Sequence, residues 1–191
     1  MIMRSLVLLA ALTLNSAAHA APHPEAAGGP ASADAVVATL YAADAVGERA
    51  SLGTIGFRDS PYGLIVAPRL AGLAAGAHAA HIHEKASCSS SAPGAGEQVA
   101  AGGAGNHYDP DGAKVHAGPY GGGHRGDLPN LIVEADGSAT IPVLAPRLRA
   151  AELSGRAIIV HAGPDRYQDH AAHHQGSGGA RVYCGLIRGS R

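Results

Sequence analysis

The sequence predicts an all-β fold, a sandwich or a barrel, from two observations. Short apolar or alternating runs recur along the chain, and each is bounded by Gly, Pro, Asp or Ser. No stretch carries a long helical period, and the two pieces that could hold a helical turn, residues 69–75 and 146–153, are both short. Roughly eight short strands without a long helix are typical of all-β sandwiches and barrels.

The predicted strands lie on both sides of a Gly-rich loop. In chain order they are residues 36–41, 53–57, 63–66, 77–83, 131–135, 139–143, 157–161 and 181–187. Asp136-Gly137 between the fifth and sixth strands is a hairpin signal, because a two-residue turn of this kind needs the positive φ that Gly adopts freely. We therefore expect these two strands to be antiparallel neighbours.

Residues 1–20 have the features of a secretion signal. Arg4 gives a basic start, an apolar run follows at 6–14, and an Ala-His-Ala cleavage motif stands at 18–20. The apolar run is too short to span a bilayer. The cleavage site has no cysteine, so nothing there indicates a lipid anchor. We expect export to the periplasm and a mature chain that starts near Ala21; a buried N-terminal helix is the alternative interpretation.

The mature chain is predicted to form one domain after a flexible lead-in. Residues 21–35 are rich in Pro, Gly, Ala and Ser, which is typical of a flexible segment. Residues 36–191 have the length of a single domain. The formal net charge of −1 gives no electrostatic reason to expect a nucleic-acid partner. With no Trp and a single Phe, the core must consist mainly of Val, Ile, Leu and Ala.

The loop at residues 106–127 carries three histidines, His107, His116 and His124, and ends at an aspartate, Asp127. It has no helical or strand period, so the packing of one face cannot order it. A long loop without secondary structure needs another source of order. Three imidazoles and a carboxylate make a tetrahedral set of nitrogen and oxygen ligands for zinc, so we predict a metal site in this loop.

Further histidines lie outside the loop. His81 and His83 are separated by one residue in a predicted strand, so their side chains point to the same face, whereas His78 has the opposite parity. A pair of surface histidines on an exposed strand is the alternative interpretation. Together with His161 downstream, the candidate ligands are too many for one metal ion and enough for two.

The two cysteines, Cys88 and Cys184, predict one disulfide, because an even count in an exported chain is typical of an oxidising compartment. Such a bond would close a loop of ~95 residues and stabilise the fold by about 4–5 kcal/mol in the chain-entropy description. The alternative is a pair of free thiols that bind metal. The chain has no other cysteine close to either one.

The chain resembles the bacterial periplasmic copper/zinc superoxide dismutases. The resemblance covers nearly all of the chain from about residue 36 onward and rests on YGLIVAPRL (62–70), HIHEKASC (81–88), AGNHYDPDGAKVHAGP (104–119), GHRGDLPNLIVEADGSA (123–139), VLAPRL (143–148), IIVHAG (158–163) and GGARVYCGLI (178–187). It implies an eight-stranded antiparallel Greek-key barrel or sandwich, immunoglobulin-like in architecture, with a long metal-binding loop. It also implies two cofactors, copper and zinc.

The resemblance assigns a role to each candidate ligand. It implies that His81, His83 and His161 bind copper alone, that His107 bridges copper and zinc, and that His116, His124 and Asp127 complete the zinc site. It implies two catalytic residues: Arg181 beside the copper channel, and His107 as a proton carrier. Cys88 and Cys184 match the disulfide of the family. The implied substrate is superoxide, which would be converted to dioxygen and hydrogen peroxide.

The loop after His161 holds further candidates. The family has an aspartate that joins the two metal sites through hydrogen bonds to ligating histidines; Asp169 and Asp165 both lie in the right loop, and we favour Asp169. His170, His173 and His174 follow, either as a solvated group or as a trap for stray metal or haem.

Two rival functions stand beside the enzyme. One is an exported copper/zinc carrier or sink without turnover, which would have no need for an arginine that guides an anion. The other is a purely structural immunoglobulin-like module. This interpretation requires that the seven candidate ligands occur in their order by chance. We expect no membrane anchor, and the sequence leaves open whether the chain is a monomer or a homodimer.

Overall fold

The structure is a computed structural model that describes residues 36–43, 50–92, 98–168 and 178–189. Several predictions fall outside these residues: the signal peptide at 1–20, the lead-in at 21–35, Asp169, His170, His173 and His174. Within the described residues no helix is long and apolar enough to cross a membrane.

The described residues form an antiparallel all-β fold, which confirms the predicted fold class. The strands are β1 (Val36–Ala42), β2 (Gly53–Ser60), β3 (Gly63–Leu70), β4 (Gly76–His78), β5 (Ala80–His83), β6 (Leu131–Val133), β7 (Val143–Ala145), β8 (Ala157–His161) and β9 (Arg181–Arg188). Seven of them make one curled sheet in the order β5-β8-β9-β1-β2-β3-β7, and β4 pairs with β6. The strand β5, which carries His81 and His83, is therefore at an edge of the large sheet.

The predicted strand 77–83 is in fact two strands in two sheets. β4 pairs with β6, whereas β5 pairs with β8. Between them, the N–H of Ala79 donates to the carbonyl of Gly163 and its carbonyl accepts from the N–H of His161. These two bonds let the chain leave one sheet for the other at Ala79 without losing a backbone partner.

The turn at Asp136-Gly137 is present, but the predicted pairing of the two strands beside it is wrong: β6 pairs with β4, whereas β7 pairs with β3. The turn closes with the N–H of Glu134 on the carbonyl of Ser138 at 2.8 Å, and Gly137 takes a φ of 82°. Ala139 makes only an isolated bridge to Leu70, and the next strand, β7, begins at Val143. Of the two predicted helical turns, residues 146–153 contain the 3₁₀ helix Ala150–Leu153, while residues 69–75 contain none.

The core is aliphatic around a single phenylalanine, as the composition predicts. Alternate residues of β1, β2 and β3 point inward and are fully or almost fully buried: Ala38, Leu40, Ile55, Phe57, Leu64 and Val66. β8 is buried on both faces, since Ile158 and Val160 join the main core while Ala157 and Ile159 join a smaller apolar cluster around Cys184. The rigid strand β8 ends at His161, so its burial fixes the position of that imidazole.

A disulfide joins Cys88 and Cys184, which confirms the predicted pairing and excludes the free-thiol alternative. Cys184 lies on β9 opposite Ile159 of β8, and Cys88 packs against the smaller apolar cluster. The bond therefore fixes the segment that follows β5 to the strand that begins at Arg181.

Candidate metal centre

The metal loop, residues 106–127, docks on the free edge of β5. The N–H of Ile82 donates to the carbonyl of Gly126, and the carbonyl of Ile82 accepts from the N–H of Tyr108, both at 2.8 Å. Gly126 in turn donates to the carbonyl of Tyr108 at 2.8 Å, so the two ends of the loop are held side by side. β5 thus lies between β8 on one side and the metal loop on the other.

This docking brings distant candidate ligands together. His107 bridges to His83 and Asp127 bridges to His81, both in antiparallel register. On the other side of β5, the strand β8 supplies His161. The resulting group of imidazoles, which we call the histidine cluster, consists of His81, His83, His107 and His161, with one ring nitrogen of each within 4.8 Å of the others.

Two imidazoles of the histidine cluster have their tautomer fixed by backbone carbonyls. Nδ1 of His83 lies 3.0 Å from the carbonyl of Gly105, and Nδ1 of His161 lies 2.8 Å from the carbonyl of Gly179. A carbonyl only accepts hydrogen bonds, so both Nδ1 atoms carry the proton. Both Nε2 atoms therefore present a lone pair, and that of His83 is buried with no hydrogen-bond partner in the described part of the chain.

The third imidazole, that of His81, is fixed by a carboxylate. Its Nε2 donates to Oδ2 of Asp165 at 2.8 Å, so its Nδ1 has the lone pair. This Nδ1 lies 3.0 Å from Nε2 of His161, which also has a lone pair. Two unprotonated nitrogens that face each other at this distance repel unless a cation lies between them. The histidine cluster therefore fits a metal ion that imidazole binds well, such as copper.

A second group of ligand atoms converges on a buried carboxylate. We call it the aspartate cluster, and its members are His107, His116, His124 and Asp127. The Nδ1 atom of His107 lies 2.9 Å from Oδ1 of Asp127, that of His116 lies 3.0 Å from Oδ2, and that of His124 lies 3.6 Å from Oδ1. The set of three imidazoles and one carboxylate is the tetrahedral donor set that the sequence predicts for zinc.

Several atoms of the aspartate cluster are buried without a hydrogen bond. Among the described residues, these are Nδ1 of His116, Nδ1 of His124 and Oδ2 of Asp127. Buried polar atoms are almost always paired, and exceptions call for an ion or a water. Unpaired nitrogen and oxygen atoms that point toward one another are the arrangement of ligands around a shared cation, so this cluster also fits a metal ion.

His107 belongs to both clusters. Its ring stacks on that of His81 with the centroids 3.9 Å apart, and its Nδ1 is the atom that faces Asp127. His81 lies within 4.8 Å of the group formed by His107, His116 and Asp127 as well. However, its Nε2 is bonded to Asp165 and its Nδ1 faces His161, so its free lone pair belongs to the histidine cluster.

The pKa values of the histidine cluster favour neutral rings that can bind metal. Burial holds the pKa of His81 and of His83 well below the usual value, and it also lowers the pKa of His107. Burial lowers the pKa of His161 to about 4. At neutral pH these rings therefore carry no competing second proton, and their lone pairs are available.

In the aspartate cluster, the neighbouring groups outweigh the effect of burial on the pKa values of His116 and Asp127. Burial alone would lower the pKa of His116, but the carboxylates of Asp127 and Asp165, which face its two ring nitrogens, outweigh burial and raise this pKa to about 9. Burial would likewise raise the pKa of Asp127, yet the three imidazoles whose Nδ1 atoms face its carboxylate hold it well below its usual range. Asp127 is therefore a permanent anion, which is the charge that a divalent cation at this point requires.

The profile of the family described as copper/zinc superoxide dismutase (SODC) matches residues 51–187. The chain belongs to this family. A copper/zinc superoxide dismutase of Photobacterium leiognathi is 48% identical over 138 residues, which cover 72% of this chain and 79% of that protein. One of Actinobacillus pleuropneumoniae is 43% identical over 159 residues, which cover 82% of this chain and 83% of that protein. The solved structure of the Cu/Zn superoxide dismutase from Brucella abortus aligns with a TM-score of 0.75 at 38% identity and covers 81% of this chain and 100% of that chain.

One carboxylate touches both clusters. Oδ2 of Asp165 lies 2.8 Å from Nε2 of His81 and 2.8 Å from Nε2 of His116. Asp165 is itself buried, with 4% of its surface exposed. The sequence offers two aspartates for such a link and favours Asp169, which lies outside the described residues; the contacts seen here belong to Asp165.

Arg181 lies against the histidine cluster. Its guanidinium donates to the carbonyls of Ala101 and Gly105 at 3.0 and 2.9 Å, and the carbonyl of Gly105 is the one that also fixes His83. No carboxylate pairs with Arg181 in the described ranges. Arg125, by contrast, forms ion pairs with Asp111 and Glu152. The positive charge of Arg181 thus remains unneutralised close to two imidazoles, and this charge contributes to their lowered pKa values.

His78 has no predicted function in the sequence, and the structure gives it a supporting position. The ring is buried, with Nδ1 at 2.7 Å from the carbonyl of His161 and Nε2 at 2.8 Å from the carbonyl of Ala74. It does not join either cluster. Its parity in the strand predicts that it faces away from His81 and His83, but not that it contacts the end of β8, because the break at Ala79 carries no period in the sequence.

Proposed function

We propose that the chain is an exported superoxide dismutase that holds copper in the histidine cluster and zinc in the aspartate cluster, with His107 shared. As a member of its family the chain is an oxidoreductase that uses copper and zinc. The observation that carries the assignment of the two sites is the pair of facing lone pairs, on Nδ1 of His81 and Nε2 of His161, 3.0 Å apart. An all-imidazole set suits copper, and a set with a carboxylate suits zinc.

Copper, when bound, supplies the one-electron couple through which two superoxide ions and two protons become dioxygen and hydrogen peroxide. The chain supplies the rest. The carbonyls of Gly105 and Gly179 and the carboxylate of Asp165 keep three imidazoles in the tautomers that ligation requires. His107 can hold and release a proton at Nε2 while its Nδ1 stays with Asp127. Arg181 offers a fixed positive charge to the incoming anion.

Asp165 supports the proposal as the residue that joins the two sites. It bonds to the imidazole nitrogens that are not free for metal, on His81 in one cluster and on His116 in the other. Residues of this kind orient ligands and fix their tautomers. We propose this role for Asp165, and a role for Asp169 stays a prediction.

The location of the protein is proposed from its N-terminal signal features, its disulfide and its relatives. The signal features at residues 1–20 predict export, and the Cys88–Cys184 bond is of the kind that persists in an oxidising compartment. The relatives named above are bacterial proteins. The periplasm satisfies all three observations.

The proposal is tested with the purified mature chain loaded with copper and zinc. We expect both metals to bind and superoxide to disappear catalytically in a pulse-radiolysis or stopped-flow assay. The metal-free chain and the chain loaded with zinc alone serve as controls and should be inactive. Tight binding of both metals without dismutation would contradict the enzyme and favour the carrier, which no observation on the structure or the relatives supports.

His107→Ala should weaken zinc more than copper. The histidine cluster would keep three imidazoles, whereas the aspartate cluster would lose one of its four ligands and keep two imidazoles and a carboxylate. His161→Ala is the matched contrast, because it removes an imidazole from the histidine cluster alone and should weaken copper with little effect on zinc. Chelator competition with each metal measures both effects. Equal zinc affinity in His107→Ala and the parent would show that His107 is not shared.

A further inference from the structure

Tyr167 has an unusual backbone conformation next to the carboxylate that joins the clusters. Its φ is 55°, in the left-handed region, where a bulky residue other than Gly is an outlier. Such a conformation persists only where the surroundings enforce it, and it is concentrated at functional sites. The contacts that enforce it therefore indicate what Tyr167 does.

Three contacts hold Tyr167 in place. Its backbone N–H donates to Oδ1 of Asp165 at 2.7 Å, and its hydroxyl oxygen accepts from the backbone N–H of Asn130 at 3.0 Å. Its ring lies against Gly118 in the metal loop, where a Cβ atom would come within 2.7 Å of ring carbons. Tyr167 thus connects the loop after His161, the turn before β6 and the metal loop.

Asn130 completes a ring of bonds around Asp165. Its side-chain Nδ2 donates to the carbonyl of Asp165 at 3.0 Å, and its Oδ1 accepts from the N–H of Asp165 at 2.8 Å. Asn130 therefore fixes the backbone of Asp165, and Tyr167 fixes one oxygen of its carboxylate. Both carboxylate oxygens lie near Nε2 of His116, Oδ1 at 2.9 Å and Oδ2 at 2.8 Å, and Oδ2 also accepts from Nε2 of His81.

We propose that Tyr167 is a positioning residue that orients the carboxylate of Asp165 and seats the metal loop on it. The inference rests on the proposed function, because the orientation of Asp165 matters only if the two clusters that it joins bind metal. With the carboxylate fixed, the Nε2–H groups of His81 and His116 have their acceptor, and Nδ1 of each is directed at its own cluster. Loosening Tyr167 therefore disturbs both metal sites at once, although Tyr167 is not placed to touch either metal.

Tyr167→Phe is the deciding variant, because it keeps the ring against Gly118 and removes only the acceptor of the Asn130 N–H. In the copper- and zinc-loaded protein we expect zinc retention to fall by about 10-fold, at the low end of the 10–100-fold losses typical of supporting residues. We also expect a changed electron paramagnetic resonance spectrum of Cu(II), because His81 shifts with Asp165. Tyr62→Phe, at a hydroxyl on a side chain that is 77% exposed, is the matched control and should behave as the parent.

Gly118→Ala is the second variant, since a methyl group there must displace the ring of Tyr167 together with its hydroxyl, and the φ of 68° at Gly118 adds backbone strain in the metal loop. It should change the same copper spectrum in the same direction. A Tyr167→Phe protein with the copper spectrum and zinc affinity of the parent would overturn the positioning role, whatever Gly118→Ala does. A parent that binds neither metal would instead overturn the proposed function, so the two failures are distinguishable.

Discussion

Replacing Arg181 with Glu is expected to lower the second-order rate constant with superoxide by more than 10-fold, and Arg181→Ala should lower it less. The reason is that a positive charge in a cleft raises encounter rates with an anion by about 10–10³-fold. Both variants should keep copper and zinc. The guanidinium contacts carbonyls of Ala101 and Gly105 and no metal ligand side chain, and no described carboxylate neutralises it. The rate constant is measured by pulse radiolysis over a range of ionic strengths, and the fall with salt should flatten in Arg181→Ala.

Lys85→Ala is the control for this result. Lys85 is an exposed cation that pairs with Glu84 at 3.8 Å, so its charge is already compensated, and its removal should leave the rate and the salt slope nearly unchanged. Arg125 is compensated by Asp111 and Glu152 in the same way. An Arg181→Ala protein with the parent rate and the parent salt slope would show that another group guides the substrate.

Asp127→Asn should weaken zinc binding by about 10–100-fold or more. The change keeps the size of the side chain but removes the negative charge on which Nδ1 of His107, His116 and His124 converge. The melting temperature of the zinc-loaded protein should fall with it, because metal binding to a loop without regular structure contributes directly to folding. Chelator competition and calorimetry, each with and without zinc, measure the two effects.

Asp136→Asn is the matched control for the zinc site. Asp136 lies in the exposed turn that follows β6, where its carboxylate accepts from the N–H of Ser138, a bond that Asn can also make. It should leave zinc affinity and melting temperature close to those of the parent. If Asp127→Asn matched this control in both measurements, the carboxylate of Asp127 would not be a zinc ligand.

The strands and the fold class could be predicted because their signals are local. Alternation in β1 to β3 reports burial directly, as Leu40, Ile55 and Leu64 show. The disulfide could be predicted because only two cysteines exist to pair. The candidate ligands stood out for a similar reason: imidazoles and a carboxylate in a Gly-rich loop have no packing role that would explain them.

The rest depends on contacts between distant segments, which leave no local pattern. The sheet change at Ala79 arises from backbone bonds to the region of His161, more than 80 residues away. Asp165 and Asp169 are both aspartates in the loop after His161, so the sequence does not distinguish them. Only the fold shows the contacts that Asp165 makes to both clusters. The positive φ of Tyr167 likewise follows from Asn130 and Gly118, neither of which marks Tyr167 in the sequence.

The docking of the metal loop on β5 also bears on the solubility of the protein. β5 is an edge strand of the seven-stranded sheet, and an uncovered edge is a template on which another polypeptide can add a strand. Three backbone bonds occupy that edge: Ile82 donates to Gly126 and accepts from Tyr108, and Glu84 donates to Asn106. The loop that gathers the metal ligands therefore also protects against self-association. If it detaches, the hydrogen-bonding edge of β5 is uncovered, so loss of metal and a tendency to aggregate become linked.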